Sequence, residues 1–305
     1  MIIRNISFVI ITLIPLLSVA QEDIDHIWLD KMHENIADSV SESAIWFDNF
    51  FLLEGYKKQQ NAKAVATIKL AWEPRSRSLG NFESRFRVRV RLPNLKNRLD
   101  IVLSDYDDEL EQGDETIASN DRSNDRKRFS LALRWRAKPD SGFSHRIGVG
   151  RHLQPFVKSR YRNDFAISKK THVRWETSAY YYTRDGFGTH FSAKLDHSSS
   201  AQSLYRFDNN FYFRDESNDW LWRHAWQNLY QLNKSTAIIS GYYIEGLSRP
   251  NYSLNEHLVS VRRRQNTLRD WLFYEIEPFI LWRRDENFAP SYGLALRVEG
   301  FFGHD

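Results

Sequence analysis

A period of two in apolar residues constrains this chain more than any other feature. Over 84–92, Phe86, Val88, Val90 and Leu92 fall on one face of an extended chain, and Arg85, Arg87, Arg89 and Arg91 fall on the other. One such run fits a soluble sheet that exposes its arginines, but the pattern recurs too often for a single sheet. Residues 64–72 align Ala64, Ala66, Ile68, Leu70 and Trp72. Residues 129–136 align Phe129, Leu131, Leu133 and Trp135 opposite Arg134 and Arg136. Residues 187–196 set Phe187, Phe191, Ala193 and Leu195 against His190, Ser192, Lys194 and Asp196. Residues 272–282 set Leu272, Tyr274, Ile276, Pro278, Ile280 and Trp282 against Glu275 and Glu277. Several runs reach the ~9–11 residues that a tilted membrane strand needs, where soluble strands average about 5–6.

Beyond residue 20 no apolar stretch is long enough for a spanning helix, and the mean hydropathy is −0.59. Aromatics are nonetheless 14% of the chain, with Trp72, Trp135, Trp220, Trp271 and Trp282 at the ends of alternating runs, as a membrane girdle places them. Only helices and closed barrels cross lipid with every backbone group paired. The expected fold is therefore all-β: a transmembrane antiparallel up-and-down β-barrel of about 14 strands, with 12 as the alternative. Turn signals at Pro93-Asn94, 138–142, Asp185-Gly186, Asn233-Lys234 and 249–251 separate the strands, and the alternation is faintest over 143–150 and 154–162. A soluble secreted β-sandwich is the residual alternative. Cysteine is absent, and a closed barrel needs none.

The first 20 residues read as a secretory signal peptide: Arg4, an apolar stretch from Ile6 to Leu17, then Ser18-Val19-Ala20 before Gln21. Residues 21–57 form a second unit, expected as a short helical segment in the periplasm or inside the barrel. Ile24, Ile27, Trp28, Met32, Ile36 and Val40 recur at helical spacing over 23–43. The barrel is expected over 58–305. An even strand count puts both of its ends in the periplasm.

The chain closes on an alternating run, Tyr292, Leu294, Leu296, Val298, Gly300 and Phe302. Gram-negative outer-membrane barrels commonly end on such an aromatic strand, read by the barrel-assembly machinery, although Gly303-His304-Asp305 follow here. Ser43 to Phe51 (SAIWFDNFF), Arg85 to Pro93 (RFRVRVRLP), Arg269 to Pro278 (RDWLFYEIEP) and Trp282-Arg283-Arg284-Asp285 resemble a group of uncharacterised proteobacterial outer-membrane proteins. The resemblance implies a barrel in the cell outer membrane, in contact with its lipid and lipopolysaccharide. It carries no activity or catalytic residue.

Residues 1–48 hold Arg4 and Lys31 against eight acids, a net −6, which leaves +10 for 49–305 out of the formal +4. Alternation sends much of that charge inward: Arg85, Arg87, Arg89, Arg91, Arg134 and Arg136 above all, with Arg160, Arg162, Arg174 and Arg206. Rings of basic side chains select anions in pores. The leading expectation is a porin-like pore or transporter for small polar, anionic solutes. A closed structural or surface-interaction barrel is the alternative, with Asp100, Asp208, Glu275 and Glu277 pairing with the arginines. The acidic helix is expected either to enter the basic lumen or to lie in the periplasm.

His197 and Ser199, with Asn209 and Asn210 on the next strand, faintly resemble the His, Ser and Asn of outer-membrane phospholipase A, so a lipid-modifying enzyme is a third reading. The Asn offset differs, the Gly-rich surroundings are missing and the turn falls at the periplasmic end. An acidic stretch over 105–126 reads as a solvated loop, since it lacks the glycine and terminal glutamate of a calcium-binding loop. The remaining histidines lack metal-ligand spacing, and neither a cofactor nor nucleic acid is expected.

Overall fold

The computed structural model describes residues 63–80, 82–92, 99–104, 129–138, 142–150, 153–269 and 271–302. The expected leader, the acidic helix within 21–57 and the stretch 105–126 lie outside the described residues. Alternation produces fourteen strands: β1 (Lys63–Trp72), β2 (Phe82–Leu92), β3 (Leu99–Ser104), β4 (Ser130–Trp135), β5 (Phe143–Val149), β6 (Pro155–Ser168), β7 (Thr171–Tyr182), β8 (Gly186–Ser198), β9 (Ser203–Arg214), β10 (Asp219–Asn233), β11 (Thr236–Leu247), β12 (Ser253–Arg269), β13 (Leu272–Arg283) and β14 (Ser291–Phe302).

Each strand pairs antiparallel with its sequence neighbours, and β1 pairs with β14, so the sheet closes without an edge. Both faintly patterned runs, 143–150 and 154–162, belong to strands β5 and β6, so the count is 14 rather than 12. Strand β12 extends as far as Arg269. Its Arg263, Arg264 and Gln265 keep pairing with Ile276, Glu275 and Tyr274. That stretch lies beyond the apolar belt, so its pairing leaves no apolar alternation to read.

The seam from Ala66↔Phe302 to Trp72↔Leu296 brings the first and last strands together. The loops at its far end lock it: Arg75 Nη1 donates to Glu286 Oε1 at 2.5 Å, and Ser76 N donates to Tyr292 O at 2.7 Å. With fourteen strands, the starts of β1 and the end of β14 share one end of the barrel, called here the terminal end.

Burial is inverted relative to a water-soluble protein. The large apolar side chains on the outer face are exposed, among them Leu131, Leu133, Ile147, Val157, Ile276, Leu294, Leu296 and Val298. Charged groups are among those most hidden from solvent: Asp100 and Glu277 are both 0% exposed. Aromatics bracket the outer apolar band. Trp72, Tyr181, Trp220, Trp282 and Tyr292 stand near the far end, and Trp135, Phe143, Tyr205 and Tyr230 near the terminal end. Trp220 and Tyr230 are ten residues apart on β10. At ~3.3 Å per residue and a tilt of ~40°, that spacing is about 25 Å, the height of a barrel's lipid-facing band. Among the described residues no helix is long and apolar enough to cross a membrane.

Candidate functional site

Strand registers decide which inward side chains meet, because directly paired residues share a face. Lys69 pairs with Arg85, Thr67 with Arg87 and Val65 with Arg89. Arg87 then faces Ser104, and Asp100 faces Arg134. Arg134 continues to Arg146, Arg146 to Lys158, and Arg160 to Ser144. Arg162 ends the series opposite Glu176. Strands β2 to β7 thus form one inner wall that carries Arg85, Arg87, Arg89, Arg134, Arg136, Arg146, Lys158, Arg160 and Arg162. Arg174 on β7 joins them, and the acids among the described residues of this wall are Glu83, Asp100, Asp164 and Glu176. Arg91 enters the same wall by its backbone, paired with Asp100.

Acids on this wall are shared between arginines. Asp100 accepts from Arg134 Nε at 2.9 Å, from Arg134 Nη2, and from Arg136 Nη2 at 2.9 Å, all on Oδ2. Glu176 lies 3.7 Å from Arg160 and 3.5 Å from Arg162. Each of these carboxylates is thus shared between two guanidiniums.

The opposite inner wall, β10 to β14 with β1, is organised differently. Lys69, Arg223, Arg262, Arg264, Arg283 and Arg297 stand among Glu73, Glu245, Glu256, Glu275, Glu277 and Glu299, so charge balances. Arg297 donates to Glu275 and to Glu277 at 2.8 Å each and lies 3.5 Å from Glu73. Arg262 donates to Glu277 at 2.9 Å, and Arg264 bridges Glu275 and Glu299. On the far side of this belt, Arg223 holds Glu245 at 2.5 Å.

Between these ionic layers the lumen holds an apolar layer of Ala225, Tyr243, Leu258, Phe279, Leu281 and Ala295. Leu258 is 2% exposed and Ala295 0%. Glycine makes room for its rings. A Cβ added at Gly293 would stand 2.1 Å from Phe279 Cζ, and one at Gly241 2.5 Å from the Tyr243 hydroxyl. A second aromatic group lies on β6 to β9, where Tyr180 donates to the Tyr212 hydroxyl at 2.7 Å and Phe156 stacks on Tyr182. Sequence alternation predicts inward arginines but not this layer. Its signal, inward glycines beside inward aromatics, becomes legible only once the register is known.

Of the arginines expected inward from 85 to 136, Arg85, Arg87, Arg89, Arg134 and Arg136 are collected on one wall, and the side chain of Arg91 lies outside the described residues. Arg174 is inward on β7 of the same wall, paired with Asp164, whereas Arg206 is inward on β9, paired with Asp196. Of the four acids expected to pair with arginine, Asp100, Glu275 and Glu277 do. Asp208 pairs instead with Lys194 at 3.2 Å, because β8 and β9 place those two side by side. His197 and Ser199 are directed apart: the His197 ring hydrogen-bonds Thr171 at 3.0 Å, and the Ser199 hydroxyl donates to Ser203 O at 3.2 Å. Asn209 points to the outer face and bonds His224 at 2.6 Å. Among the described residues no three potential ligands gather to hold a metal ion.

No protein-family model matches the sequence, and no curated protein matches it. Solved structures similar to it include the outer membrane channel DcaP of Acinetobacter baumannii, at 9% identity over 82% of this chain and 100% of that one, with a TM-score of 0.48. OmpT, an outer membrane protein of Vibrio cholerae, matches at 9% identity over 81% and 99%, with a TM-score of 0.47. OprB of Pseudomonas putida matches at 10% identity over 79% and 92%, with a TM-score of 0.46.

Proposed function

We propose that this chain is an outer-membrane pore that passes small polar anions along the inner wall β2 to β7. Membrane insertion is supported by the exposed apolar band, its aromatic borders and the closed sheet, which together suit a hydrocarbon slab and not water. The observation that carries the anion path is the register, which among the described residues gathers ten basic side chains against four acids on adjoining strands. Such a wall lowers the energy of an anion in the lumen and raises that of a cation. Shared carboxylates keep the arginines in place.

The test is the reversal potential of the refolded protein in a planar bilayer under a salt gradient, with folding checked by heat-modifiable gel mobility. Discrete steps with anion selectivity are expected. A second reading, a closed structural barrel, is supported by the apolar layer on β10 to β14, which packs like a protein core. Silence from folded protein at every voltage would retire the pore and leave that reading.

A further inference from the structure

The outer surface is not apolar throughout. On β9 and β10 the outward side chains Asn209 and His224 are directly paired, and Asn209 Oδ1 lies 2.6 Å from His224 Nδ1. Trp220 marks the far border of the apolar band on β10, and His224 lies four residues along from it, a depth of about 10 Å at the usual rise and tilt. On the membrane placement proposed above, the pair stands well inside the hydrocarbon layer, where polar side chains are costly and mark sites of interaction. The other outward histidines among the described residues differ. His145 stands beside Trp135 at the terminal border and bonds Ser159 at 2.9 Å, and His197, at the end of β8, bonds Thr171 at 3.0 Å. His257 lies flat on the border ring of Trp282 at 4.6 Å. The outer faces of β2 to β5 carry aliphatic side chains such as Val88, Leu131, Leu133 and Ile147.

We propose that the Asn209–His224 pair seats a second copy of this chain, in a two-fold dimer formed within the membrane through the outer faces of β9 to β11. Hydrogen-bond roles carry the proposal. Asn209 Oδ1 is a carbonyl oxygen and accepts, so His224 Nδ1 holds the proton and Nε2 is left as an acceptor. The amide is oriented by its own Nδ2, which donates to Ala193 O at a long 3.5 Å and keeps a second hydrogen. Among the described residues nothing donates to His224 Nε2. One protomer thus presents a donor and an acceptor side by side. A two-fold partner presents the same two groups in reverse order, so each Asn209 Nδ2 meets the partner's His224 Nε2.

Membrane geometry agrees. Two copies inserted in the same direction can share a two-fold axis only along the membrane normal, which keeps every residue at its own depth. Asn209 and His224 are cross-strand neighbours, so their depths differ by only about 3 Å. Phe211, Trp222 and Trp226 surround the imidazole at ring distances of 5.6, 5.4 and 6.2 Å, and aromatic rings are enriched in interface cores. Nearer the terminal end, Asn228 and Ser240 are also outward and directly paired, which extends the polar stripe. Acyl chains have no donor to offer these groups, whereas polar side chains that bond across an interface in lipid hold subunits together.

The mass of folded, full-length protein in detergent micelles, measured by light scattering with bound detergent subtracted, tests the proposal. Two chains are expected; one chain, or three, overturns it. His224→Leu with Asn209→Leu replaces the pair by side chains that suit lipid, so folding, followed by heat-modifiable gel mobility, should be kept. Its dimer should need about tenfold more protein per detergent to form, the loss expected when two hydrogen bonds in lipid are removed; an unchanged dimer overturns the interface. Because the chain has no cysteine, single introduced ones report contact without background. In vesicles, Ser240→Cys on the stripe should give several times more bismaleimide-linked dimer than Ser84→Cys or Val157→Cys, outward positions on β2 and β6. Equal yields at the three positions mean random collision and overturn the proposal, and this comparison decides alone if the double variant does not fold. The dimer rests on the membrane placement and not on the anion path. A silent dimer retires the pore and keeps the interface, and a conducting monomer does the reverse.

Discussion

The two inner walls of this barrel use the same residue types to opposite ends. On β10 to β14 and β1, cations and carboxylates alternate, and Arg297 is surrounded by Glu275, Glu277 and Glu73. On β2 to β7, Asp100 and Glu176 each serve two arginines, and basic side chains outnumber acids among the described residues. Balanced pairs that are buried hold strands together, while the basic wall is the surface that the proposed anion path uses. The difference teaches that an arginine's inward position says little until its cross-strand neighbours are known.

The contrast breaks most visibly at Arg297. Removing it by Arg297→Ala strands Glu275 and Glu277 in a buried setting and is expected to destabilise the barrel by about 3–5 kcal/mol, read as a lower urea midpoint in lipid vesicles. Arg136→Ala, on the basic wall, leaves Asp100 with Arg134 and should move that midpoint by less than about 1 kcal/mol. Equal losses for the two variants would erase the distinction.

Packing sharpens the same comparison. Leu258→Ala empties part of the apolar layer beside the balanced belt and is expected to cost about 2–4 kcal/mol by the same urea measurement. Were that layer wet and loosely filled, the loss would fall well below this range. Gly293→Ala pushes a methyl into the Phe279 ring and should cost about 1–3 kcal/mol, with Phe279→Leu in the same chain restoring part of it.

On the basic wall the expected changes are in selectivity. The pair Arg160→Gln and Arg162→Gln removes two of the wall's charges and should lower the anion-to-cation permeability ratio by about twofold, with little change in urea midpoint. The same measurement on Arg262→Gln, from the balanced wall, should show destabilisation without that selectivity shift.

The smallest effect concerns pH. Glu73 lies just past the end of β1, and burial pushes its carboxyl up to about 7, against the pull of Arg297. A raised carboxyl favours the protonated folded state. Stability should therefore fall as pH rises from about 4.5 to about 7, the interval between the unfolded and folded values. Glu73→Gln should flatten that slope in thermal melts; an identical slope in both proteins would remove Glu73 as its source.

Sequence alone was enough to establish the barrel. Side chains of a strand alternate whatever lies beside it, so the faces of Phe86 and Arg87, the strand run from Lys63 to Phe302 and the aromatic borders are local properties. Fourteen strands were legible for the same reason, and even the faint β5 and β6 obey the period. What the tertiary structure decided is neighbourhood. Hairpin register and closure at the β1–β14 seam determine that Asp100 stands between arginines while Asp208 meets Lys194, and that Phe279 lies over Gly293. They also gather Ala225, Tyr243, Leu258 and Ala295, from four separate strands, into one apolar layer within a charged lumen. A period of two specifies a side of the sheet. Which side chains touch across it depends on distances between residues far apart in the chain, and only the closed sheet sets those.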